Sequence, residues 1–342
     1  MDRLLLSTLG GPLRAVVVRD GGVIACRAMP RGGLVIGQQM TARVIAHPEG
    51  LDGALVSCAD TEAILAGVTR KSHPVGAVID VTVTAVPRAG KRARVVLSSA
   101  GPVSGWFERL HQAFPDAGVV LDDASLVPAI TTLWGAPTVH HGALPLLVDA
   151  GVAADYWTAL DPVMPLACGG QVIWQPTPAG HSFDVDAGGA GRRISNTQAV
   201  EAIARFLRRT GAEGLVMIGL IPIKAAPERE AVRAALKTAL TACAIKADVG
   251  PIDRLGVLSL SVPRQGLALD EVRLTPADWG YRRRVTDIAA EAHEALATAR
   301  ARTPGRRWCI TVPADVHPHM GPAQPGVMVE AGPVDAFDIK EI

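Results

Sequence analysis

Aromatic residues are scarce in this chain: Trp 6, Phe 5 and Tyr 2 among 342 residues, with none before Trp106. The first 105 residues must build their core from aliphatic side chains and have no ring on which to stack a base. An excess of either charge is lacking too: 34 Lys+Arg stand against 33 Asp+Glu, for a formal net charge of +1. That excludes binding to nucleic acid or membrane by gross charge, and leaves room for a local basic groove. The five cysteines are scattered, odd in number and never spaced Cys-x-x-Cys. Neither a disulfide framework nor a thiolate zinc site is indicated, and reduced, mostly buried thiols are expected. The longest apolar run, Gly214 to Ile223, is half of the about 20 residues a spanning helix needs. Leu4-Leu5-Leu6 is too short for the core of a signal peptide. The expectation is a soluble, cytoplasmic protein without membrane attachment. No Walker loop, nucleophile elbow or dinucleotide fingerprint occurs.

What is present reads first as all-β and then as α/β. Residues 3–28 alternate, with turns at Gly10-Gly11 and Asp20-Gly21-Gly22, which predicts an antiparallel three-strand meander. Strands are predicted at Gln39–Ala46, Gly53–Cys58, Ala63–Val68, Val78–Val86 and Arg92–Ser98, the last two joined by a turn at Pro87-Arg88-Ala89-Gly90. Five short strands in about sixty residues suit a small OB-type barrel. Helical spacing then begins at Trp106, Phe107, Leu110 and Phe114, followed by a strand at Val119–Leu121 and a helix marked by Leu126, Ile130 and Trp134. Residues 143–160 read as a third helix. A hairpin, Gln171–Gln175 with His181–Asp186, leads to a helix over 197–210 and a nearly all-apolar strand over 214–223, read as central in a sheet. A helix over 227–245 and a strand over 256–262 follow. A tail unit carries a helix over 281–300 and strands at 308–312 and 326–330.

Chemistry is most legible in Phe183-Asp184-Val185-Asp186. Strand alternation puts Asp184 and Asp186 on one face, where two carboxylates can hold a hard divalent cation such as Mg²⁺. The structural alternative is a solvent-facing polar strand face. Gly188-Gly189-Ala190-Gly191 followed by Arg192-Arg193 can offer backbone N–H groups and guanidinium groups to a phosphate, or be an ordinary turn. Basic clusters at Arg70-Lys71, Arg88/Lys91/Arg92/Arg94, Arg205/Arg208/Arg209 and Arg282-Arg283-Arg284 are each a solvated face when taken singly. Gathered on one groove they would form a nucleic-acid track. His140-His141 and His317-Pro318-His319 are poor chelators without a third ligand.

Several segments agree, in order, with a known family. Gly169-Gly170-Gln171-Val172-Ile173-Trp174, Phe183-Asp184-Val185-Asp186, Asn196 leading into Ala202-Ile203-Ala204-Arg205-Phe206-Leu207-Arg208, Gly214-Leu215-Val216-Met217-Ile218 and Arg254-Leu255-Gly256-Val257-Leu258 resemble the catalytic core of the ribonuclease E/G family. The resemblance extends over nearly the whole chain. It implies an α/β (α+β) protein with four parts: an RNase H-like subdomain (1–35 and 101–168), an inserted OB-type RNA-binding barrel (36–100), a DNase I-like core (169–275) and a small C-terminal domain (276–342). It also implies contact with single-stranded RNA, with a role in RNA processing or decay.

In the family, two strand carboxylates hold the Mg²⁺ that activates water for phosphodiester cleavage. Asp184 matches the first of them, and Asp186 stands where the family usually has Asn. Gly219 and Pro222 occupy the positions of the family's Asp residues on the second strand, so one metal ligand is missing. The stretch between Ser99 and Trp106 is too short for the family's sensor of 5′-monophosphate ends. The cysteine-rich zinc link between protomers is absent, so no zinc is expected and any homo-oligomer forms without it. Three readings follow. One is an Mg²⁺-dependent endoribonuclease with Asp184 and Asp186 as ligands, Arg192, Arg193, Lys91 and Arg92 on phosphates, and Asn196 as a supporting polar group. Another is a non-catalytic RNA-binding or scaffolding relative. The third is a protein-interaction module that has lost RNA. A carboxylate from elsewhere, such as Asp253, remains open as a completing ligand.

Overall fold

The computed structural model describes residues 2–342 except 31, 88–90, 101–102, 190, 267, 278–279 and 323. The predicted turn at 87–90, with Arg88, and Ala190 of the glycine-rich loop fall outside the described residues in whole or in part.

The chain is mixed α/β with one closed barrel and several open sheets. It opens with the expected meander, β1 (Arg3–Ser7), β2 (Leu13–Arg19) and β3 (Gly22–Met29). The barrel interrupts it: β4 (Gln39–Ala46), β5 (Gly53–Cys58), β6 (Thr61–Ala66), β7 (Val78–Ala85) and β8 (Ala93–Leu97) close in the order β4-β5-β6-β8-β7. Only β6 and β8 run parallel within it. The barrel interior is mainly aliphatic, with Val44, Val56, Leu65, Val81 and Val83 buried beside Cys58, so the lack of rings is met by small side chains that fill a narrow bore. After α1 (Trp106–Ala113) the chain returns to the first sheet through β9 (Gly118–Leu121). Next come α2 (Val127–Trp134) and β10 (Thr138–Val139). The sheet order is β10-β9-β1-β2-β3, with β9 parallel to β1 and to β10.

The single helix expected over 143–160 is two short ones, α3 (Leu146–Asp149) and α4 (Ala153–Trp157). Gly151 between them takes φ +72°, a left-handed conformation that ends a helix. The α/β core follows. It comprises β11 (Val163–Pro165), β12 (Gln171–Pro176), β13 (Gly180–Asp186), α5 (Arg192–Thr210), β14 (Gly214–Gly219), α6 (Ala226–Ala242), β15 (Asp248–Ile252) and β16 (Val257–Val262). The sheet runs β11-β12-β13-β14-β16-β15, so β14 is central as expected. Its apolar run covers one face only: Val216 and Ile218 join the core beneath α5 and α6, while Leu215 is 39% exposed on the other side. The strand stops at Gly219, short of the predicted 223. α5 starts at Arg192, earlier than predicted, so Arg192 and Arg193 form its first turn and do not extend the preceding loop.

The tail comprises α7 (Leu269–Arg273), β17 (Leu274–Ala277), β18 (Gly280–Arg283), α8 (Val285–Arg302), β19 (Trp308–Val312), β20 (Val327–Ala331) and β21 (Asp338–Glu341). α8 docks on the β1–β2 turn so closely that a Cβ on Gly11 would lie 2.5 Å from that of Ala290. Buried charge fixes the same contact. Arg14 Nη1 lies 2.8 Å from Glu294 Oε1, close but poorly aligned for a hydrogen bond, and Arg273 Nε donates to Asp287 Oδ1 at 2.9 Å. The guanidinium groups of Arg14, Arg273 and Arg283 gather over the Trp157 ring at 5.2, 5.2 and 5.7 Å. Of the predicted basic cluster 282–284, Arg283 therefore serves the fold, pairing with Asp287 and Glu291. Arg284 likewise donates to the carbonyls of Leu274 and Glu271. Among the described residues, no helix is long and apolar enough to cross a membrane.

Candidate functional site

Asp184 and Asp186 lie near the end of β13, exposed, with Phe183 and Val185 buried between and beside them. The alternation read from the sequence is what places both carboxylates on one face. β13 runs parallel to β14, and the register pairs Asp184 with Gly219. A Cβ built on Gly219 would stand 3.1 Å from Asp184 Oδ1. The position that lacks a carboxylate is thus the immediate neighbour of the one that keeps it. Gly219 is not among the positive-φ glycines, so no backbone demand accounts for its lack of a side chain.

The neighbouring polar groups are engaged in holding the chain. Asp186 Oδ1 accepts the Gly188 N–H at 3.0 Å, a turn bond that shapes the glycine-rich loop, and Gln171 Nε2 lies 3.4 Å from its other oxygen. Asp253 accepts the N–H groups of Leu255 and Val257 at 2.9 and 2.8 Å, closing the turn into β16. Asn196 is fully buried. Its amide donates to Ile221 O at 2.9 Å and accepts from Ile221 N at 3.0 Å, clamping the segment just past β14. Arg192 reaches Glu228 of α6 at 3.5 Å, and Arg193 is exposed.

Mg²⁺ takes oxygen ligands in near-octahedral geometry, from one or two carboxylates plus waters and substrate phosphates. Among the described residues, no group of three or more His, Cys, Asp or Glu side chains could hold a metal ion. One free carboxylate beside a glycine, with its strand neighbour tied into a turn, does not fit a two-carboxylate centre.

The barrel cations lie elsewhere. Lys91 lines a small cavity with Thr177, Gly180 and His181, at the opposite end of β13 from Asp184. Arg92 pairs with Glu62 at 2.8 Å across the barrel surface. Lys91, Arg92 and Arg94 also line a groove of about 500 Å³ whose far wall carries Arg109 and Arg264 with the carboxylates Glu213 and Glu271. Ile64 forms part of that groove. Sequence reasoning misses Arg109 and Arg264. Each is an isolated cation in its own segment, and only the fold brings them together, Arg109 Nη1 donating to Gln265 O at 2.6 Å.

Comparison with known proteins agrees with the resemblance read from the sequence. Residues 133–265 match the profile of the Ribonuclease E/G family, and that stretch takes in the α/β core that carries Asp184 and Gly219. A curated relative, "Ribonuclease E" from Nostoc sp., is 27% identical over 177 residues, which is 49% of this chain. The match covers 26% of that relative's length, so the chain spans only about a quarter of it.

Proposed function

We infer that this protein is an RNA-binding relative of ribonucleases E and G whose carboxylate centre no longer supports metal-dependent cleavage. The single observation that carries this is the pairing of Asp184 with Gly219, where the Cβ position faces Asp184 Oδ1 at 3.1 Å and holds no carboxylate. Without a second ligand, metal affinity falls, and so does the electrostatic stabilisation of the pentavalent phosphorus, by orders of magnitude. Two features support the RNA half of the reading: the family match and the basic groove between barrel and core.

The architecture supports a division into an RNase H-like subdomain (1–35 and 101–168), an OB-type barrel (36–100), a DNase I-like core (169–275) and a C-terminal domain (276–342). The first sheet has the order of a meander extended by two parallel strands, and the closed barrel interrupts it. RNA is gripped by its phosphates, because the barrel has no ring on which to stack bases, so binding is salt-sensitive and tolerant of sequence.

The test is a labelled single-stranded RNA incubated with the protein in Mg²⁺, Mn²⁺ or EDTA, beside Asp184→Asn. Binding that survives EDTA, without cleavage, supports the reading. Metal-dependent cutting that disappears in Asp184→Asn overturns it and restores the enzyme.

A further inference from the structure

The groove described above does not end at Arg109 and Arg264. Both residues also line a second, larger cleft of about 670 Å³ on the far side of that pair. Its other cations are Arg27, Arg208 and Lys246, brought from β3, the last turn of α5 and the turn after α6. Among the described residues, Glu213 is the one carboxylate that lines this cleft. It is buried and already accepts the N–H groups of Gln265 and Gly266, with Arg264 at 3.9 Å.

Arg264 is also paired with Glu271 at 3.4 Å, whereas the other cations of the cleft form no ion pair among the described residues. Arg27 is 5% exposed and donates to the carbonyls of Arg208 and Arg209, so it covers the negative end of α5 that would otherwise repel an anion. Burial, reinforced by the nearby Arg208 charge, pushes its guanidinium down to about 10. Arg208 lies over the Phe114 ring at 4.5 Å and forms no ion pair among the described residues. Lys246 is exposed and likewise has no ion-pair partner among them. Arg27 and Arg208 lie close enough to repel one another, and a polyanion relieves that repulsion.

We propose that the two clefts form one continuous phosphate track for single-stranded RNA, from Lys91 and Arg94 on the barrel, past Arg109 and Arg264, to Arg208 and Lys246. The proposal rests on the RNA-binding reading and says where the strand runs. Glu213 precedes the first residue of β14 and Gly219 is its last, so the track and the degenerate carboxylate site lie about 20 Å apart along one strand at about 3.3 Å per residue. The RNA backbone is held at the end of the sheet remote from Asp184, and its retention needs no metal.

The experiment measures the affinity of the full chain for a labelled single-stranded RNA across a salt series in EDTA. The variants are Lys246→Gln, Lys246→Gln with Arg264→Gln, and Lys91→Gln with Arg94→Gln, each checked for folding by circular dichroism. Lys246 is exposed, so its variant keeps the test sound even if replacing Arg264 disturbs Glu213. Each lost phosphate contact should lower the slope of log affinity against log salt by about 0.7 and weaken binding roughly five- to tenfold at low salt. Losses in the cleft variant and in the barrel variant alike support one track. If wild type binds but the Lys246 and double variants keep its affinity and slope, the cleft is not on the RNA path, while the RNA reading stands. If wild type binds no RNA even at low salt, both fall.

Discussion

Asp287 and Asp184 are both aspartates at element ends, and their surroundings are opposite. Asp287, in the first turn of α8, is 1% exposed, with Arg273 at 2.9 Å and Arg283 at 2.8 Å on its two oxygens. Asp184, near the end of β13, is exposed and faces a glycine. Asp287 is buried and fully paired, whereas Asp184, the carboxylate aligned with the family's chemistry, is exposed and faces a position without a carboxylate. A buried charge cannot lose its counter-charge without unfolding the contact, and an exposed carboxylate pair can lose one member at almost no cost in stability. An exposed position such as Asp184 can therefore change without disturbing the fold.

The largest effect is expected at Asp287. Asp287→Ala should cost about 3–5 kcal/mol in urea unfolding, because the buried Arg273 is left without its carboxylate and Arg283 keeps only Glu291. Asp184→Ala should stay within about 0.5 kcal/mol of wild type. Equal losses would dissolve the distinction. Gly11→Val should cost about 1–3 kcal/mol, since its side chain must displace Ala290 of α8. A melting temperature unchanged by that substitution would contradict the close docking. Gly219→Asp sharpens the contrast at the other end. A carboxylate about 3–4 Å from Asp184 should raise the melting temperature in Mg²⁺ relative to EDTA, an effect absent from wild type.

The smallest effect concerns thiols. The Gly170 backbone and Ser195 hydroxyl hydrogen bonds hold the Cys168 thiol below its ordinary range, while burial pushes Cys26 up to about 12. The thiolate is the reactive form. Cys168 should be alkylated first in the native protein, and its rate should rise with pH through a midpoint below that of an unperturbed thiol. Mass spectrometry at partial labelling identifies the site.

Strands that alternate on a local period are legible in the order of residues alone. The meander, all five barrel strands and the β12–β13 hairpin lie close to where alternation and turn residues put them. The pattern misleads where backbone chemistry overrides it. Gly151 splits one helix into two, and α5 begins directly behind a glycine-rich turn where no capping side chain marks its start. β15 escapes the pattern because Gly250 and Pro251 interrupt its alternation. The Asp184–Gly219 pairing is legible only through the family resemblance, since nothing local ties β13 to β14. The Arg14–Glu294 pair and the Arg109–Arg264 meeting leave no trace in the sequence, because they join segments far apart in the chain and each residue alone resembles a surface charge.

RNA binding without a working carboxylate centre can be tested in one titration. A labelled single-stranded RNA is titrated with the full chain in matched buffers containing Mg²⁺ or EDTA, and the RNA recovered at the end is sized. The same affinity in both buffers and RNA of unchanged length are expected. RNA shortened in Mg²⁺ and intact in EDTA would contradict that expectation.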